Sequence, residues 1–158
     1  MPTATYIALA NLTLSSADTT ISFQSIPSTY KDLVIVANFT TTGGNLRGSF
    51  NNNATSNAYQ MTRLFATPTT YSGGSFQGTY FEFGDTTSGL AFARIQISDY
   101  SVTDKAKLTL SSVVSGGDRV FYHANNWNNS SAVNRIDLFR SSGDFSSGDT
   151  FALYGLVA

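Results

Sequence analysis

The sequence predicts an all-β chain: an antiparallel two-sheet β-sandwich, jelly-roll-like in its connections. Three observations predict it. Apolar and polar residues alternate over most of the 158 residues, and no window holds apolar residues at helical spacing for more than a turn or two. Clusters of Gly with Asn, Asp or Ser recur between the alternating runs, where positive φ lets the chain reverse. The runs themselves are short and evenly spaced, which is the spacing of a sandwich or barrel. No internal repeat is present to suggest a propeller or solenoid. A chain of this length is expected to form one domain, 1–158, with a short N-terminal arm over about residues 1–5.

The expected strands run in order over 6–14, 20–23, 33–39, 46–51, 59–66, 78–83, 90–98, 106–114, 119–125, 133–139 and 150–157. The third follows the Pro-stiffened turn Ile26-Pro27-Ser28-Thr29-Tyr30 and is apolar almost throughout, as suits a strand covered on both faces. Turns are expected at 42–45, 71–74, 84–89, 115–118 and 141–144, each built on Gly. In the run 90–98, Ala91, Ala93, Ile95 and Ile97 make an aliphatic face, and Phe92, Arg94, Gln96 and Ser98 a mixed one. Val114 to Val120 reads as a hairpin that joins Leu108 and Leu110 to Val120 and Tyr122. At the end, Phe151, Leu153 and Gly155 share one face, so the chain closes its core with its last strand.

Composition narrows the function. Cysteine is absent, which removes disulfides, thiolate metal sites and cysteine nucleophiles. Charged residues are only 12% of the chain, 9 Lys plus Arg against 10 Asp plus Glu, and the arginines are scattered. A phosphate-tracking stripe needs clustered cations, so nucleic acid is not an expected partner. Residues 1–10 lack the basic start and apolar stretch of a signal peptide, and no run approaches a membrane span. The expected setting is therefore an assembly, made without a secretion address and with no membrane.

No constellation of catalytic side chains stands out, and the chain is expected not to be an enzyme and to need no cofactor. His123 is the sole histidine, flanked by aromatics on its strand, and no Gly-x-Ser-x-Gly elbow accompanies it. It reads as a packing residue. Glu82 and Asp85 could flank a sugar as a carboxylate pair, but Glu82 lies between Phe81 and Phe83 and is expected to point outward. The aspartate spacings 99/104 and 144/149 match no calcium loop, and no metal site is expected.

Two segments carry a resemblance. Ile26, Pro27, Tyr30, Lys31, Asp32 and the run Leu33 to Val36 match an I-P-x-x-Y-K-D-L-V-I-V entry strand. Gly148, Phe151, Leu153, Tyr154 and Gly155 match a closing strand. Ile97, Asp99, Tyr100 and the segment from Trp127 to Leu138 follow in the same order. The chain resembles, from about Phe23 onward, tailed-phage virion structural proteins of the jelly-roll decoration (cement) and fibre-tip type. The resemblance implies a capsid decoration protein on the virion surface that bridges major capsid subunits and associates with itself as a homotrimer. The start at Met1, with no fibre shaft ahead of it, favours that reading.

The alternative it implies is a receptor-binding tail-fibre tip that holds a host glycan through Trp127, Asn126 and Asn128. For the decoration reading, the expected contact elements are the uncharged arm Pro2, Thr3, Ala4 and Thr5, and the turn residues Tyr30, Lys31 and Asp32.

Overall fold

The computed structural model describes residues 5–116 and 118–157, with the backbone alone for 85–87. Among the described residues ten strands form: β1 Tyr6–Thr13, β2 Thr20–Phe23, β3 Asp32–Phe50, β4 Tyr59–Ala66, β5 Tyr71–Gly78, β6 Phe81–Ser98, β7 Lys107–Ser115, β8 Arg119–Trp127, β9 Ile136–Arg140 and β10 Thr150–Leu156. The strands are hydrogen-bonded in the order β1-β10-β3-β6-β7-β8-β4-β5, with β9 on the far half of β3 and β2 on β9. Every pairing is antiparallel. The all-β, antiparallel expectation holds.

Three of the expected turns are not turns. β3 spans 19 residues and runs straight through 42–45, and β6 spans 18 and runs through 84–89. Gly43, Gly44 and Gly89 sit there at φ of 115°, 95° and 123°, values open to Gly but not to L side chains. The glycines bend the ladder without ending it. The first half of β3 pairs with β10 and the second half with β9, while β6 accompanies it along both. A third turn, expected at 71–74, is instead the start of β5.

The core lies between these parts. Phe39, Phe145 and Phe151 meet at ring-centroid distances of 4.9 to 6.4 Å at one end. Phe50, Tyr59, Phe81 and Trp127 cluster at the other. The opening of β6 crosses the inward side of β7, where Ser111 Oγ donates to the Phe83 carbonyl at 3.3 Å.

The two resemblance segments are neighbours in space. β10 pairs with the entry strand, Leu33 opposite Gly155 and Ile35 opposite Leu153. The Tyr30 ring lies over Gly155, so close that a Cβ there would stand 2.4 Å from Tyr30 Cγ. Tyr100 Oη accepts from the Tyr30 amide at 3.4 Å and donates to the Pro27 carbonyl. Asp32 accepts from the Asp99 amide, which fixes Asp99 in its left-handed conformation (φ 49°). The residues of these two segments therefore form one folding knot.

Candidate interaction surface

The side chains that set this chain apart are on the outward face of β6, β7, β8 and β4. β7 is inverted: Lys107, Thr109 and Ser111 point inward and are buried, while Leu108 and Leu110 point outward, 57% and 62% exposed. Register forces this, because Val113 on the inward row meets Phe121 and its neighbours in the core. Across the ladder, Leu110 faces Ala124 and Ser112 faces Tyr122, which in turn faces Leu64. On the other side, Val114 pairs with Phe92, two residues from Leu90.

Leu64, Leu90, Phe92, Leu108, Leu110 and Tyr122 are each between 41% and 68% exposed. With ~200 Å² for a large apolar residue, these six leave on the order of 700 Å² of themselves in water. The largest apolar patch of a typical monomer is about 300–600 Å², and each side of a standard interface is about 800 Å². Arg94, opposite Ser112, is the charged residue on these rows.

Behind that face the inward rows hold the polar groups. Lys107 is fully buried, and its Nζ donates to the carbonyls of Lys105 and Ser130 at 2.7 and 3.1 Å. Asn125 Nδ2 donates to Thr109 Oγ1 at 2.9 Å. His123 is 3% exposed, with its ring beside the Glu82 backbone. Burial pushes its pKa down from 6.5 to about 4, against the pull of the Glu82 carbonyl and carboxylate. Glu82 forms a 2.8 Å ion pair with Arg47. Burial would raise its pKa, but hydrogen bonds with Asn45 and Arg47 and the charge of Arg47 outweigh that and hold it below the usual carboxylate range. Arg47 and Glu82 thus satisfy each other's partly buried charge. Among the described residues, no three His, Asp or Glu side chains group as a metal site.

The sequence-expected residues fall elsewhere. Pro2, Thr3 and Ala4 lie outside the described residues; Thr5 is exposed, and its carbonyl accepts from the Val157 amide at 3.0 Å. Tyr30 is half-buried on Gly155, and Asp32 accepts hydrogen bonds from Asp99 and Gln96. Lys31 is exposed, and its amide donates to the Leu156 carbonyl.

Trp127 corrects the sugar-platform expectation. It is 1% exposed, with its ring stacked on Tyr59 and edge-on to Phe50, so the ring is part of the core and not an exposed stacking platform. Asn126 alternates with it on β8 and donates to Gln60 Oε1 at 3.4 Å, and Asn128, just past the strand, is exposed. Glu82 is half-buried between the core residues Phe81 and Phe83, and the Asp85 side chain lies outside the described residues. Sequence reasoning missed Leu64, Leu90, Leu108 and Leu110 as a surface. Its available signal was the pairing of Lys107, Thr109 and Ser111 with the leucines on one alternating strand.

No protein-family model matches the chain, and no curated protein matches it. Among solved structures, an exo-inulinase from Aspergillus awamori aligns over 96% of this chain and 29% of its own at 10% identity, with a TM-score of 0.45. This chain thus spans under a third of that enzyme. A tetrameric galectin from the sponge Cinachyrella sp. aligns over 87% of this chain and 99% of its own at 8% identity and TM-score 0.43. An alginate lyase from Aplysia kurodai aligns over 94% and 88% at 12% identity and TM-score 0.35.

Proposed function

We propose that the chain is a non-enzymatic structural protein of a tailed-phage virion, a decoration protein that docks on the major capsid protein and on copies of itself. The inversion of β7 carries this reading. A strand that buries Lys107, Thr109 and Ser111 and turns Leu108 and Leu110 to water is costly for an isolated molecule, because apolar burial contributes about 25 cal/mol per Å². The same strand is favourable once its outer face is covered. The patch has the size of one side of a standard interface and almost no charge to steer it.

The finer architecture in this proposal is a jelly-roll sandwich. β1 pairs with β10, β2 with β9, and β3 with β6 twice along its length. First with last and second with penultimate is the order that a rolled-up hairpin produces. One leaf is then β1-β10-β3-β6 and the other β2-β9-β3-β6, with the hairpins β4-β5 and β7-β8 added to the first. The resemblance of the entry and closing strands supports the same reading.

The test is occupancy on purified phage heads, imaged by electron microscopy, for the wild type and for Leu110→Glu and Leu64→Glu. Both positions are exposed in the free chain, so the folded monomer tolerates the charge. Wild-type density on the head lattice that is lost in both variants is the expected result. Equal occupancy of wild type and variants would remove the face from the argument, and density on the tail alone would overturn the decoration reading.

A further inference from the structure

Among the described residues, β5 pairs only with β4 and leaves its other edge open, and we propose that this edge takes an extended, uncharged peptide segment of a partner by strand addition. Natural sheets blunt their edges with charge, proline, bulges or short length. The edge strand β1 has a bulge between Ala8 and Ala10, and the edge strand β2 is only four residues long. β5 has none of these defences. Its sequence Tyr71-Ser-Gly-Gly-Ser-Phe-Gln-Gly78 contains neither charge nor proline, and its eight residues pair with β4 in unbroken register from Tyr59 opposite Gly78 to Ala66 opposite Tyr71. Six of the eight are exposed, Tyr71 at 90%.

The chemistry of the occupant follows from the groups presented. In an antiparallel strand, alternate residues turn both N–H and C=O away from their partner. A row of outward donors and acceptors at that spacing is matched by an extended backbone. Beside the start of β5, Leu64, Phe65, Ala66, Tyr71, Val120 and Tyr122 line a hollow of about 480 Å³. A hollow walled by these residues receives an apolar side chain from an added strand and rejects a charged one. Strand addition at β5 goes beyond the decoration reading and does not depend on where in the particle the chain sits.

The experiment uses the full chain and, as probe, a labelled synthetic peptide with the sequence of residues 6–13, eight uncharged residues that already pair as an edge strand in this fold. Saturable binding is expected, with slowed hydrogen exchange at alternate amides of β5. Proline is then placed singly at Ser72, Gly73, Gly74 and Ser75. The two positions whose N–H groups face β4 lose the hairpin, as circular dichroism and melting report. The two whose N–H groups face outward keep the melting temperature and bind the probe about tenfold more weakly, the loss of one ladder hydrogen bond. Absence of saturable binding, or unchanged binding in the two well-folded proline variants, overturns the proposal. Equal affinity for a probe with glutamate at alternate positions overturns its uncharged character. Loss of head occupancy in the Leu110→Glu variant with probe binding intact separates this outcome from that of the decoration reading.

Discussion

Gly155→Ala isolates the contact that joins the entry and closing strands. The added Cβ would stand 2.4 Å from Tyr30 Cγ and 2.6 Å from both Cδ atoms, so the ring has to leave its place. Gly155 lies in a regular strand without positive φ, hence backbone strain adds nothing and the whole effect is steric. Overpacking of this kind costs about 1–3 kcal/mol. For a chain near 150 residues, about 2 kcal/mol lowers the melting temperature by roughly 4–8 °C. Tyr30→Ala is also destabilising, because a half-buried ring is lost. The two losses are not additive: once the ring is gone, alanine at 155 has room. A double-mutant cycle by urea denaturation should give a coupling of about 1–3 kcal/mol. Additivity within about 0.5 kcal/mol would show that Tyr30 does not occupy the space above Gly155, and the reading of the entry and closing segments as a folding knot would fall with it.

Phe151→Ala, which removes a ring 1% exposed and packed against Phe39 and Phe145, should cost about 3–5 kcal/mol in the same denaturation assay. His123 has a folded pKa near 4 against 6.5 in the unfolded chain, so the unfolded state binds the extra proton first. Stability should be complete above pH 6.5 and fall as pH drops toward 4, by about 1.4 kcal/mol per pH unit at most, and His123→Gln should flatten that slope. Trp127, the single tryptophan, should emit as a buried indole, and neutral sugars should leave its fluorescence unchanged. Attachment to heads should change little between low and moderate salt, since the docking rows carry little charge; a collapse of binding over that range would show that charge drives it.

Much of the fold was legible in the sequence because alternation reports strands directly. β2 was expected over its observed residues, and the Leu108–Tyr122 hairpin and the closing strand formed as expected. The glycine-rich stretches 42–45 and 84–89 misled because Gly permits a turn and a sharp bend equally, and only the ladder partners on β3 and β6 decide between them. The surface was harder to read. Alternation shows that β7 has an apolar face and a polar face but not which is inward, and that choice belongs to Val113, Phe121 and Trp127 through register. Trp127 among amides has the composition of an exposed platform. Its burial comes from Phe50 and Tyr59, far away in sequence.

The uninterrupted passage of β3 and β6 through their bends has a mechanical consequence. Their ladder runs from Leu33 opposite Ile97 to Gly48 opposite Phe81, so the two strands are shared by everything that flanks them. A tensile load along this ribbon falls on its rungs in shear, many at once, where a load across a hairpin end would open them one at a time. Yielding at one end also removes the support of β9 and β10 on the same strand. The molecule should therefore give way in a single rupture at high force, the behaviour of a clamp, with the β4-β5 and β7-β8 hairpins carried along as passengers.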